Sequence, residues 1–483
     1  MRKNIISIFK KQVIHNQDKC ALISETQGSM TYKELDMISD YYACEIKERV
    51  NTNEKYIGIC LQRSFEMIAA IIGILKAGKA YVPLDPSYPT ERIKFYCQTA
   101  RIKTVLCNTK TATQFFENPI DVDKINLNGR CSDTSFEFCR KTEDAYLLFT
   151  SGSTGVPKGV MVSQESILNT LLWRIEYYGL TNTDIVLQVP SISFSSSVED
   201  IFSTLLSGGE LVLLEESDLY NMKKLSYLLA KYQVTHFLMV PSLYNYLVNY
   251  IEECALRFVA LAGEPITRDL IIKHNTKLGK VTLFVEYGMT ETSVGCTAGK
   301  LTTEKEDNYI GFIIDNMYGK IIEMDENGIG ELVIYGVGVA KGYINAADEK
   351  NQFIEYEGEK AFKTGDYVRR ASDGGYIYVC RKDKQIKING QRINLSEINN
   401  ILYTIKEIEY VVTLPVEVDS KVHLVSFLES TKGDIVDIAR ISIERSLPKQ
   451  YWPRSIIHMK EMPRLPNGKI DTYSLKEYYI AQY

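Results

Sequence analysis

The sequence predicts an α/β protein: a large N-terminal domain of mixed sheets covered by helices, with a small β-rich subdomain, followed by a small α+β C-terminal domain. Three observations carry this. From residue 56 onward, short apolar runs of β character alternate with helical patterns. Near residue 330 the texture turns to glycine-punctuated strands. Beyond a charged run at 381–385, about 100 residues carry strand and helix signals of their own, enough for a separate compact domain.

In chain order, YIGICL (56–61) reads as a strand, and EMIAAIIGILKAG (66–78) as a helix with Ile68, Ile71, Ile72 and Leu75 on one face. The alternation continues through TVLC, AYLLF, DIVLQV, ELVLL, HFLMV, RFVALAG and VTLFVEYG, which fit parallel or mixed sheets covered by helices. GELVIYGVGVAKGYI and GGYIYVC predict a small barrel or sheet closing the large domain. RKDKQ (381–385) reads as a hinge. After it, Asn389-Gly390 between two alternating runs signals a hairpin. Ser396 is placed to cap the helix EINNILYTI; VVTLPVE and KVHLVSF read as strands, and DIVDIARISIERSL as a second helix.

At 483 residues the chain exceeds one hydrophobic core, and 45% hydrophobic with 24% charged residues is the make-up of a soluble enzyme. A net charge of −5 argues against the basic footprint of a nucleic-acid binder. Ten cysteines are scattered without a C-x-x-C, so neither a zinc site nor a disulfide framework is indicated, and a cytoplasmic location is expected. The N-terminal MRKNIISIFKKQ breaks its apolar run at Lys10 and Lys11, before a signal-peptide core can form. The longest apolar stretch, 67–75, is about half of the roughly 20 residues that a membrane helix needs, so no membrane association is expected.

One stretch asks for an anion. TSGSTGVPKG (150–159) combines glycines that let backbone N–H groups approach closely, hydroxyl donors, and the cation Lys158. It is not a Walker loop, because Pro157 precedes the lysine and Gly159 follows it. A flexible surface loop has a similar composition, but flexible linkers rarely stand directly behind an apolar run such as 145–149.

Ten motifs follow one another over nearly the whole chain: MTYKEL (30–35), LKAGKAYVPLD (75–85), LLFTSGSTGVPKGV (147–160), FSSSVEDIF (194–202), EYGMTET (286–292), GELVIYGVGVAKGY (330–343), FKTGDYVRR (362–370), RKDKQIKINGQRI (381–393), LPKQYWP (447–453) and LPNGKID (465–471). In register they resemble the adenylate-forming enzymes, specifically the amino-acid adenylation domains of nonribosomal peptide synthetases. The resemblance implies an N-terminal core over 1–382, a mobile lid over 384–483 and a hinge at Asp383. It implies activation of a carboxylic acid by ATP and Mg²⁺ as acyl-AMP, with release of pyrophosphate.

Carried over residue by residue, Thr150, Ser151, Gly152, Ser153, Thr154, Gly155 and Lys158 would enclose the β- and γ-phosphates. Lys469 would bridge the substrate carboxylate and the α-phosphate, two anions whose approach needs an intervening cation. Thr290 would meet the α-phosphate, Glu291 would hold Mg²⁺, Tyr287 would stack on adenine, and Asp366 with Arg381 would serve the ribose and phosphate. In isolation, N-G-K also reads as a solvated turn, Y-G-M-T as a strand ending, and Asp366 as a turn residue. The sequence departs from the family at Met289, where Pro is usual, and at Cys380 and Ser396, where Gly is usual.

The acyl pocket, mapped by the same motifs, comprises Phe194, Ser195, Ser196, Glu199, Met239, Ala260, Ala262, Glu286, Val294 and Gly295. Ser195 stands where amino-acid-activating relatives carry an Asp that pairs with the α-ammonium. A hydroxyl cannot neutralise a buried ammonium. Glu199 and Glu286 among small residues suggest room for something cationic, an acid whose amine is displaced from the α-carbon, unless either carboxylate turns to solvent or meets a protein Arg or Lys. No carrier-protein motif follows residue 483 and no condensation domain precedes Met1, so a free-standing unit served by a separate carrier protein is expected. An acyl- or aryl-CoA ligase of the same superfamily and a non-catalytic nucleotide-binding relative are the alternatives.

Overall fold

The computed structural model describes residues 4–111, 115–126, 143–150, 156–252, 254–345, 352–382, 385–388, 391–418, 421–432, 435–464 and 470–482. The chain divides into two compact units. The larger comprises Met1–Pro86, Cys97–Phe149 and Gly159–Lys382; the smaller comprises Ser87–Tyr96, Thr150–Lys158 and Asp383–Tyr483.

The larger unit is built on two sheets. In one, Cys20–Ser24, Glu210–Leu213, Ile185–Gln188, His236–Met239, Phe258–Ala262 and Thr282–Met289 are parallel neighbours. Their apolar runs are unbroken because both faces are covered: His236–Met239 is buried at every position. At Val294–Lys300 the direction reverses, and the ladder passes through Tyr309–Ile313, Tyr376–Arg381, Glu359–Arg370, Gly330–Gly336 and Met317–Ile322, all antiparallel. The glycine-punctuated region is thus an extension of the large sheet and not a closed barrel. Tyr309–Ile313 makes the join by pairing with Val294–Lys300 on one side and Tyr376–Arg381 on the other.

The second sheet contains Tyr56–Cys60, Ala80–Pro83, Thr104–Cys107 and Asn118–Asp121 in parallel, with Asp144–Thr150 beside Ala80–Pro83. Helix Phe65–Lys76, expected to bury one face, is buried at every position except Glu66, as an all-apolar helix must be. A Cβ at Gly73 would stand 2.8 Å from that of Tyr42, so the glycine sets how closely helix Tyr32–Arg49 packs. That helix begins in a capping box. The Thr31 hydroxyl accepts the Glu34 N–H at 3.2 Å while the Glu34 carboxylate accepts the Thr31 N–H at 2.7 Å, which accounts for T-x-x-E in MTYKEL.

Lys76 ends the buried helix with its ammonium out of water. It donates to Asp36 at 2.7 Å, Asp40 at 2.6 Å and the Ser39 hydroxyl at 2.7 Å. Lys10 joins the same two carboxylates from helix Ile5–Asn16.

In the smaller unit Tyr410–Val418 and Lys421–Glu429 pair antiparallel, and Ser455–Met459 joins them in parallel. Gln385–Ile388 and Gln391–Asn394 form the expected antiparallel pair; Asn389 and Gly390 lie outside the described residues. The next helix is Leu395–Leu402, so Ser396 is its second residue and not its cap. The strand ending at Asn394 runs straight into the helix and leaves the cap position upstream of Ser396. The core here gathers Ile393, Ile398, Leu402, Leu428, Ala439 and Ile443.

Cys20, Cys60, Cys97, Cys107, Cys254, Cys296 and Cys380 are free thiols, whereas Cys44 is disulfide-bonded. The scattered cysteines, with no C-x-x-C among them, did not foretell it. Among the described residues no helix is long and apolar enough to cross a membrane. Replacing Lys76 with Met strips the buried cation from Asp36 and Asp40, and is expected to lower the unfolding free energy by about 3 kcal/mol, read as a lower urea midpoint.

Candidate active site

Two consecutive residues at the end of one strand face opposite ways and open two different environments. The strand is Thr282–Met289, and the residues are Glu286 and Tyr287. After Met289 the chain makes a tight turn at Thr290–Thr292 and reverses through Ser293 and Val294, at φ of +53° and +80°. A β-branched residue rarely adopts such a φ, so the turn is strained. Gly288 makes room for it, because a Cβ there would run into the Val294 carbonyl.

On one side, the Tyr287 hydroxyl donates to Asp366 Oδ2 at 2.5 Å, and Arg381 Nη1 donates to Asp366 Oδ1 at 2.9 Å. Asp366 is 1% exposed and lies opposite Arg381 in the ladder between Glu359–Arg370 and Tyr376–Arg381. The Tyr287 ring is buried in an apolar cluster with Cys296, Ile310 and Val368, and burial together with the neighbouring carboxylate pushes its hydroxyl pKa well up. Glu291 is also 1% exposed; its Oε1 accepts the Tyr343 hydroxyl at 2.8 Å. The Thr290 hydroxyl lies 3.4 Å from that of Ser195.

On the other side, Met239, Ala260, Ala262 and Glu286 sit at or near the carboxyl ends of three adjacent parallel strands, where open α/β sheets hold ligands. Met239 and Ala260 are fully in the core, and Val294 is buried beside Gly288. Phe194, Ser195 and Ser196 are half-buried at the start of helix Ser196–Ser207, where the Phe194 carbonyl accepts the Ser197 N–H at 3.1 Å. Glu199, on that helix, accepts the Gly295 N–H at 3.2 Å, and a Cβ at Gly295 would come within 2.9 Å of Glu199 Oε1.

Of the two readings open for Glu199 and Glu286, room for a substrate cation or a meeting with a protein Arg or Lys, the structure bears out the second. Arg174, from helix Gln164–Tyr177, has no solvent exposure and hydrogen-bonds Glu286 through Nη1. The same guanidinium stands 3.7 Å from Glu199 and 3.7 Å from Asp200, and the Tyr178 hydroxyl donates to Glu286 at 2.7 Å. Burial, reinforced by the charge on Glu286, drives the Glu199 carboxyl well above its usual range; burial raises Asp200 to about 8, against the pull of Arg174. The expected vacancy already holds a protein cation. Arg174 could have been found, since Ile167, Leu171 and Arg174 share one helical face, but Asp200 and Tyr343 had no comparable signal.

Thr150 closes strand Asp144–Thr150, and Lys158 opens Lys158–Ser163, its neighbour in the sheet. The buried Thr150 hydroxyl has no hydrogen-bond partner among the described residues, as suits a donor kept for an anion. Ser151, Gly152, Ser153, Thr154, Gly155, Asp383 and Lys469 lie outside the described residues. No three His, Cys, Asp or Glu side chains among the described residues are grouped to hold a metal. The buried Glu291 carboxylate fits Mg²⁺, which takes one or two carboxylates and completes its shell with phosphate oxygens and water.

The family described as AMP-binding enzyme matches residues 9–344. Bacitracin synthase 3 of Bacillus licheniformis is 37% identical over 98% of the chain, which spans 8% of that relative's length. Two solved structures share the fold. One is NpsA-ThdA, an artificially fused adenylation–PCP didomain from Klebsiella oxytoca, with TM-score 0.84 and 22% identity, covering 94% of this chain and 93% of its own. The other is the Vibrio cholerae adenylation domain AlmE in complex with glycyl-adenosine-5'-phosphate, with TM-score 0.85 and 20% identity, covering 100% and 98%.

Asp200 keeps its proton in the folded protein up to about pH 8, against an ordinary value of 3.8. Its contribution to stability is therefore complete below pH 3.8 and is lost as the pH climbs toward 8. Over about pH 5 to 8 the melting temperature of the wild type is expected to fall more steeply than that of Asp200→Asn. Parallel curves would mean that Asp200 is ionised in the fold.

Proposed function

The chain belongs to the AMP-binding enzyme family, and from that premise we propose that it is an AMP-forming ligase that activates a small carboxylic acid as acyl-AMP and passes the acyl group to the phosphopantetheine thiol of a separate carrier protein. One observation carries the nucleotide half of this reading. Asp366 and Tyr287, 79 residues apart in the chain, meet in a buried hydrogen bond beside Arg381, and a carboxylate so placed has acceptor capacity left for two ribose hydroxyls. The 37% identity to a peptide synthase over 98% of the chain supports the acyl half, and a neighbour in which an adenylation domain is fused to a PCP supports a carrier as acceptor.

The chemistry is an in-line attack by the substrate carboxylate on the α-phosphorus of ATP. No covalent enzyme intermediate is needed. The residues act by positioning and by stabilising charge, each well-placed donor being worth roughly 10²- to 10³-fold in rate. Thr150, the glycine-rich loop that follows it and Lys158 take the departing phosphates; Thr290 donates to the α-phosphate; Glu291 holds Mg²⁺, which offsets phosphate charge when bound. Lys469 stands between the two reacting anions. Asp383 is the hinge between the core over 1–382 and the lid over 384–483, letting the lid present Lys469 in the first step and withdraw it for the second.

Exchange of labelled pyrophosphate into ATP, dependent on a carboxylic acid, tests the first half-reaction; loading of a carrier protein, with CoA as the competing thiol, tests the second. Preference for CoA would overturn the carrier assignment. Lys469→Ala is expected to slow adenylate formation by about 100-fold or more while sparing transfer from preformed acyl-adenylate. Equal loss in both half-reactions would count against an alternating lid. Asp383→Pro, with φ held at about −65°, should retain exchange and lose thioester formation.

A further inference from the structure

The activation chemistry does not use the cation buried beneath the acyl pocket. Arg174 Nε and Nη2 find no hydrogen-bond partner among the described residues, nor do Glu286 Oε2 and both Asp200 oxygens. A guanidinium so poorly supplied with hydrogen bonds is retained by its ion pair with Glu286. We propose that Arg174 is a specificity-determining residue: it serves as the pocket's built-in cation, so the acid that this protein activates carries no cationic side chain. The inference rests on the activation reading above and narrows its substrate class.

Position and charge support it together. Glu286, bound by Arg174, lies opposite Ala262 at the carboxyl ends of their parallel strands, and Glu199 reaches the Gly295 backbone beside it. A substrate side chain entering between Ala262 and Gly295 therefore meets carboxyl groups that already face a guanidinium. Arg174 is ion-paired with Glu286, and the upward shifts of Glu199 and Asp200 favour the neutral forms of those two acids. The cluster is then close to electrically neutral without a ligand. An incoming ammonium would add a second positive charge in a low-dielectric site, where like charges repel strongly. The structure thus supplies from within what a basic substrate would have to bring.

Pyrophosphate exchange measured over a panel of uncharged and basic acids, the basic ones including ornithine and lysine, tests this. The wild type is expected to use an uncharged acid with kcat/KM at least about 10-fold above that for either basic one. In Arg174→Ala the ratio should move toward the basic acids by about 10-fold or more, mostly through KM, and added guanidinium should restore the original preference. Should that variant fail to fold, R174A/E286Q removes the cation with its tightest partner, and the same shift toward basic acids is expected. A wild type that favours a basic acid, or variants whose preference does not move, would overturn the role of Arg174 and leave the activation reading standing. Exchange with no acid at all would overturn both.

Discussion

A charge taken out of water must be answered from within the fold, and three such answers organise the larger unit. Lys76 is met by Asp36 and Asp40, Asp366 by Arg381 and the Tyr287 hydroxyl, and Arg174 by Glu286, with Glu199 and Asp200 close by. Leaving any of these ions alone would cost several kcal/mol, a large share of the 5–15 kcal/mol by which a typical domain is stable. The partners come from segments far apart in sequence: Arg174 and Glu286 are separated by 112 residues, Tyr287 and Asp366 by 79. The last two pairs tie a helix and a strand to Thr282–Met289 at a defined register, and the first ties two helices together.

The strand Thr282–Met289 shows how little is needed to divide the work. Its two-residue period sends Glu286 toward Arg174 and Tyr287 toward Asp366, so one residue of slippage would exchange them. The slip is prevented by the turn that follows. Gly288, the left-handed pair Ser293 and Val294, and the Gly295 N–H held by Glu199 all require this register. Backbone strain at Val294 is thereby offset by interactions on both sides of it.

Much of the fold was legible in the sequence because its strands are of the buried parallel kind, whose apolar runs stand out from the helices between them. The parts that were not legible depend on contacts distant in sequence. Whether the region after residue 330 forms a small barrel or a sheet stayed open, because glycine punctuation marks strands but not their neighbours; the pairing through Tyr309–Ile313 makes it a sheet. Ser396 looked like a cap because nothing local shows that the preceding strand runs directly into the helix. Motif spacing singled out Asp366, Tyr287 and Glu291, whose side chains the fold buries. It did not lead to Arg174, because Glu199 and Glu286 were read without the helix that supplies their partner. The charge balance of a pocket is a property of everything packed around it.

That mutual dependence constrains how this pocket could change over generations. Arg174, Glu199, Asp200 and Glu286 are buried together, and losing any one of them alters the ionisation or stability of the rest. Single substitutions here pass through a destabilised intermediate, whereas compensated pairs do not, so the effects of the substitutions are strongly non-additive. A lineage drifting toward another substrate would more readily alter positions such as Ala260 and Ala262, where volume changes without charge. The quartet is an epistatic lock, and descendants of this sequence should inherit it whole or lose it whole.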